Sequence, residues 1–78
     1  MEKTIKLFGA AWCLKSTQIR NHLQRNWIDF EDFDVEDDES AANLVRSFYD
    51  GKLKFPTVVI DGIYYKNPTL KELDQLIK

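Results

Sequence analysis

Polar and apolar residues alternate from Thr4 to Phe8, the period of a half-buried strand, and Gly9 ends the run. From Leu14 to Trp27 the pattern changes. Ile19, Leu23 and Trp27 recur every fourth position, the spacing of one helix face, and Ser16 continues that stripe backwards toward the core. Asp29 to Val35 reads as a second strand. An acidic turn with Ser40 then leads into a helix carrying Ala41, Leu44, Val45 and Phe48, stopped near Asp50-Gly51. Thr57 to Ile60 and Ile63 to Tyr65 form a hairpin about Asp61-Gly62, a strong two-residue turn signal. Asn67 is expected to cap a last helix, with Pro68 in its first turn and Leu70, Leu73 and Ile77 along one face.

This order, βαβ followed by ββα, with a helix before the hairpin, predicts an α/β fold. Two strands joined by a helix are expected to lie parallel and adjacent through a right-handed crossover, and the hairpin adds antiparallel strands. The result is a mixed four-stranded sheet flanked by helices. Of Tyr64 and Tyr65 on the hairpin, one should pack inward and the other face water.

Length allows one domain over residues 1–78 and leaves no room for a second. Two Trp, five Phe and three Tyr give enough bulk for one core without disulfide staples. The net charge of −2 argues against a nucleic-acid surface, and no apolar run approaches the roughly 18 residues that would span a membrane. A single cysteine excludes an internal disulfide framework, and Met1-Glu2-Lys3-Thr4 leads straight into a strand pattern, which suits a reducing, cytoplasmic setting. Acidic residues crowd between Asp29 and Glu39, among Ile28, Phe30, Phe33 and Val35. Such a segment reads as a solvated edge strand whose charges keep other chains from pairing with it, with a cation site or partner-selecting patch as the other reading.

The candidate chemistry lies in Trp12-Cys13-Leu14-Lys15-Ser16, at the junction of the first strand and helix. The first N–H groups of a helix have no partner within it and carry the positive end of its dipole, so they favour thiolate over thiol. Ser16 stands where a second cysteine would complete a C-x-x-C pair, so Cys13 has no resolving partner in this chain. Ser16 can donate a hydrogen bond to the thiolate or fill buried space, Lys15 can add positive charge or point to water, and Trp12 can shield the site or simply pack. Lys52 and Lys54 lie before a proline and can meet a substrate carboxylate. His22, the only histidine, lies more than two turns along the helix from Cys13 and reads as solvated or packed. Cys13 itself can also be read as a small buried hydrophobe.

Taken together, Trp12-Cys13-x-x-Ser16, Phe55-Pro56-Thr57-Val58 and the order of elements resemble the glutaredoxin branch of the thioredoxin fold, over nearly the whole chain. Within that branch, Phe55-Pro56-Thr57-Val58-Val59, Asp61-Gly62 and Asn67-Pro68-Thr69 look most like the mycoredoxin-type glutaredoxins, which serve low-molecular-weight thiols. The resemblance implies a β-α-β-α-β-β-α thioredoxin-like fold, a cis bond before Pro56, and a loop facing Cys13 in which the Phe55 backbone pairs with the substrate's. It implies Cys13 and Ser16 as catalytic residues, and Trp12, Leu14, Lys15, Phe55, Pro56 and Thr57 as substrate-binding ones. It differs at Lys66-Asn67-Pro68-Thr69, where the family carries a glycine-rich, Asp-containing segment that holds glutathione's amino-acid end, and it lacks the C-G-F-S motif of cluster-bridging relatives.

The expected activity is monothiol reduction of mixed disulfides between proteins and low-molecular-weight thiols. No cofactor or metal is bound, glutathione or an analogue is cosubstrate, oxidised proteins are the targets, and the chain is a monomer. The rivals are a non-catalytic binding module using the same groove and a dimer bridged by an iron–sulfur cluster.

Overall fold

A computed structural model describes residues 4–77. In chain order it contains β1 (Ile5–Gly9), α1 (Leu14–Arg25), β2 (Glu31–Asp34), α2 (Glu39–Phe48), β3 (Thr57–Ile60), β4 (Ile63–Lys66) and α3 (Leu70–Ile77). The sheet order is β2-β1-β3-β4, with β1 and β2 parallel and the other neighbours antiparallel. This is the mixed sheet expected from the sequence. The expectation that Met1-Glu2-Lys3 leads directly into the first strand falls on residues outside the described range.

Alternation along the central strands divides the core between two faces. Ile5 and Leu7 of β1 and Val58 and Ile60 of β3 join Ile19 and Leu23 of α1 and Leu73 of α3. On the other face, Phe8 and Val59 meet Val35 and the α2 residues Ala41, Ala42 and Val45. Leu7, Leu23, Val45, Val58 and Leu73 are fully buried, and each such side chain contributes roughly 1.5–3 kcal/mol by leaving water. Tyr65 packs against the first cluster, whereas Tyr64 stacks on Phe48 of α2, with ring centroids 4.4 Å apart.

The Asp61-Gly62 turn forms as predicted, with φ of 51° and 86°, both in the left-handed region that this tight hairpin requires. Asp61 also holds the hairpin to the start of β1. Its N–H donates to the Thr4 carbonyl and its carboxylate accepts from the Thr4 N–H, each at 2.9 Å.

Several sequence expectations need correction. Helix α1 ends at Arg25, so Trp27 lies beyond it at φ 56° and is 93% exposed instead of continuing the core stripe. The Asn26 side chain donates to the His22 carbonyl at 2.7 Å and the Trp27 N–H to the Gln24 carbonyl at 3.2 Å, bonds that close the helix before a further turn can form. Strand β2 is shorter than Asp29–Val35, although the Val35 N–H still reaches the Gly9 carbonyl at 2.9 Å. Leu44 and Leu70, assigned to core faces, are exposed, because the neighbours that turn inward are Ala41, Ala42 and Val45 in α2 and Leu73 in α3.

Asn67 does not cap α3. It adopts φ 45° and gives its N–H to the Pro56 carbonyl at 2.8 Å, while Thr69 and Glu72 form the reciprocal capping pair, each N–H bonded to the other's side-chain oxygen at 3.1 Å. Helix α2 is capped by Asp38, whose carboxylate accepts from the Ala41 N–H at 3.1 Å.

Candidate functional site at the α1 N-terminus

Strand β1 leads into a turn in which the Cys13 N–H donates to the Ala10 carbonyl at 3.1 Å. Cys13 then sits at the N-cap of α1 in an extended conformation, φ −81° and ψ 117°. Its carbonyl accepts from both the N–H and the hydroxyl of Thr17, at 3.0 and 3.1 Å. The half-buried thiol makes no capping bond of its own, and the first turn of α1 contains no acidic residue.

Burial favours the neutral thiol, but four nearer influences oppose it: the Ser16 hydroxyl, the N–H groups of Ser16 and Lys15, and the Lys15 charge. Together they outweigh burial and hold Cys13 below the ordinary thiol range. The fully buried Ser16 hydroxyl accepts from the Ala10 N–H at 3.4 Å, which leaves its own hydrogen for the sulfur. The Ser16 side chain is fully buried, and its hydroxyl is the largest of the influences that lower the Cys13 pKa.

Space for Ser16 comes from Gly9, which the sequence presents only as a strand terminator. A Cβ on Gly9 would lie 2.5 Å from the Ser16 Oγ and 2.7 Å from its Cβ, closer than side chains can approach. Strand β1 and helix α1 therefore meet where one residue has no side chain and the other a small one.

The second wall is the loop before β3. The Phe55–Pro56 bond is cis and Pro56 is buried, in accord with the expectation drawn from resemblance. Phe8 of β1 and Thr57 of β3 are register partners, so the cysteine turn and the proline loop emerge side by side from one end of the central strand pair. The Trp12 and Phe55 rings meet edge to face with centroids 5.5 Å apart. Trp12 also donates from Nε1 to the Glu36 carboxylate, and the Glu36 N–H is held by Asp34 at 2.9 Å. Trp12 remains 68% exposed and Leu14 70% exposed, so large apolar surfaces flank the thiol.

Thr57 is fully buried, its hydroxyl donating to the Lys54 carbonyl at 2.9 Å and lying 2.9 Å from the Tyr49 hydroxyl. The Lys54 ammonium lies over the Tyr49 ring, 5.5 Å from its centroid, and Lys52 is exposed. His22 pairs with Asp74 at 2.6 Å, linking α1 to α3. Glu31 and Asp32 sit on β2 at the sheet edge, where Arg20 meets Asp32 at 2.6 and 3.3 Å. The acidic run thus serves separate tasks: Asp32 pairs, Asp34 and Glu36 support Trp12, and Asp38 caps α2.

A cleft of about 230 Å³ opens between α1 and the segment leading into α3, lined by Lys15, Gln18, Ile19 and Asn67 to Leu70. Among the described residues, no group of three or more His, Cys, Asp or Glu is placed to hold a metal ion, and no helix is long and apolar enough to cross a membrane.

Comparisons with known proteins agree with this geometry. The family model described as Glutaredoxin matches residues 5–64. Proteins from two Mycobacterium tuberculosis strains, provisionally named as glutaredoxins, are each 29% identical over 70 residues, spanning 88% of this chain and 83% of theirs. The crystal structure of the thioredoxin-like protein BC3987 is 32% identical, covers 94% of this chain and 99% of its own, and superposes with a TM-score of 0.82. A glutaredoxin from Archaeoglobus fulgidus, at 19% identity and with 95% and 85% of the two chains covered, shares the fold with a TM-score of 0.78. With the model match running from β1 through most of the closing hairpin, this chain belongs to the glutaredoxin family.

Proposed function

We propose that the protein is a monothiol thiol–disulfide oxidoreductase that reduces mixed disulfides between proteins and low-molecular-weight thiols. Family and fold support a thiol–disulfide oxidoreductase role. The observation that carries the finer reading is the placement of Cys13 at the start of α1, beside the Phe55–Pro56 loop and with Ser16 in place of a second thiol.

The Cys13 thiolate attacks the small-thiol sulfur of the mixed disulfide. A bond forms between Cys13 and that small thiol, the original disulfide breaks, and the target leaves as a thiolate that takes a proton from water. A second small thiol, as its thiolate, then attacks the sulfur carried on Cys13. The oxidised small-thiol dimer departs and the Cys13 thiolate is regenerated, so the second small thiol supplies the reducing electrons. A low pKa assists this last step most, because a more acidic thiol leaves a disulfide faster.

Trp12, Leu14 and Phe55 offer the apolar surface against which the target packs, and the Phe55 backbone pairs with the target chain next to Pro56. The cleft beside Lys15, close to Cys13 in the chain, seats the body of the small thiol, glutathione or an analogue. Ser16 takes part as a hydrogen-bond donor to the thiolate, and Thr57 supports the loop from below.

The test is turnover of peptides carrying glutathione or another small thiol in disulfide linkage, followed by release of the peptide thiol. Wild type should turn over and Cys13→Ser should not. A folded wild type that leaves every such disulfide intact overturns this reading and favours a groove that binds partners without redox chemistry.

A further inference from the structure

The proline loop is tied down on both sides of Phe55, and one of the two ties runs through the residue that closes α2. On the C-terminal side, the Pro56 carbonyl accepts from the Asn67 N–H at 2.8 Å. On the N-terminal side, the Lys54 carbonyl accepts from the Thr57 hydroxyl at 2.9 Å. A hydroxyl has one hydrogen, and Thr57 has committed it to Lys54. The 2.9 Å contact between Thr57 and Tyr49 is therefore donated by the Tyr49 hydroxyl. Proton direction is fixed along the whole line, from Tyr49 through Thr57 to the Lys54 carbonyl.

Tyr49 is well placed to anchor that line. It is the C-cap of α2, with its N–H bonded to the Arg46 carbonyl at 3.2 Å, and its own carbonyl accepts from the Lys52 N–H at 3.2 Å. Its ring meets Phe48 and Tyr64 edge to face, at 6.3 and 5.5 Å, and carries the Lys54 ammonium on its face. The side chain thus touches the loop at Lys54 twice, once with its ring and once through Thr57, while its backbone closes the end of α2. We propose that Tyr49 is a positioning residue for thiol–disulfide exchange: by donating to Thr57 it fixes the Lys54 carbonyl, and with it the Phe55–Pro56 loop that receives the target. This rests on the function proposed above. Tyr49 acts on the loop through Thr57, so its effect should be on how well the target is held and not on how readily the thiol ionises.

The experiment compares Tyr49→Phe, Thr57→Val and the double variant with Tyr64→Phe, which removes a hydroxyl bonded to the Phe48 carbonyl in the same aromatic cluster. Amide hydrogen exchange over residues 52–57 reads loop order, and steady-state turnover of a glutathionylated peptide reads KM and kcat. Tyr49→Phe should speed exchange in the loop and raise KM by about three- to tenfold, the weight of one lost hydrogen bond, with kcat and the Cys13 alkylation profile unchanged. Tyr64→Phe should leave the loop and KM as in wild type. The double variant should be no worse than Thr57→Val alone, since both changes break one line. Unchanged loop exchange in Tyr49→Phe, equal effects from Tyr64→Phe, or multiplying effects in the double variant would each overturn the proposal. An inactive wild type would overturn the redox reading instead, and loop exchange would still decide the role of Tyr49.

Discussion

Gly9 and Ser16 are in contact at a distance that admits no additional atom: a Cβ on Gly9 would lie 2.5 Å from the Ser16 Oγ. The contact fixes how closely the first turn of α1 approaches β1. Through the bond from the Ala10 N–H it also sets which way the Ser16 hydroxyl points, and hence what Cys13 meets.

Gly9→Ala should therefore destabilise the protein by roughly 1–3 kcal/mol, the usual cost of overpacking, measured by denaturant unfolding. Because the clash involves both Oγ and Cβ of Ser16, adding Ser16→Gly should recover most of that loss, whereas Ser16→Ala should recover less.

The Cys13 thiol should titrate below the ordinary thiol range when its alkylation rate is followed against pH. Ser16→Ala removes the side-chain donor and should move the midpoint upward, leaving less thiolate near neutral pH. A midpoint that does not move would mean that the backbone N–H groups and Lys15 carry the effect without it.

The same shift has a stability consequence with a fixed sign. A thiol that ionises more readily when folded stabilises the native state, fully so above the pKa of the unfolded chain. The contribution fades as pH falls through the lower, folded value. The stability difference between wild type and Cys13→Ser should thus grow as pH rises between those two points, as measured by chemical unfolding at a series of pH values.

Glu36 should govern the orientation of Trp12. In a Trp27→Phe background, where Trp12 is the sole tryptophan, Glu36→Ala should make its fluorescence more accessible to a neutral quencher and raise KM by at most about threefold. Glu36→Gln retains an acceptor and should resemble the parent. Equal quenching in all three would show that Phe55 alone holds the indole.

Thr69→Ala should remove half of the reciprocal cap on α3 and cost about 1 kcal/mol by thermal or chemical unfolding. The hydrogen bonds from the Thr69 N–H and hydroxyl region hold Glu72 below the usual carboxylate range, so this cap works above the unfolded-state carboxylate pKa and weakens as pH falls through the folded one.

Much of this architecture was legible in the chain because it follows from short periods. The alternation of Ile5 and Leu7 against Phe8, and of Val58 and Ile60 against Val59, assigns residues to the two sheet faces, and Asp61-Gly62 sets the hairpin. Cys13 at a helix start could be read from the change of period beside it. Helix ends were less legible. Trp27 fits the four-residue spacing, but hydrogen bonds at Asn26 and Trp27 close α1 first. Asn67 has the chemistry of a cap, but the Pro56 carbonyl claims its N–H. Long-range partners were not legible at all. Glu36 is one acid in a run that looks uniform, and Tyr49 has no motif around it; only tertiary contact brings the first to Trp12 and the second to Thr57.

The register of Phe8 opposite Thr57 separates two properties that evolution or design would want to vary independently. Hydrogen bonds between the two central strands set the spacing between the thiol's turn and the proline loop, so that spacing does not depend on how long the intervening chain is. Between them, α2 can vary on its exposed face, at Asn43, Leu44 and Ser47, while Val35, Ala41, Ala42 and Val45 keep the core, Glu36 keeps Trp12 and Tyr49 keeps Thr57. Changing those exposed residues should alter the outer surface of α2 without moving the cysteine turn relative to the proline loop.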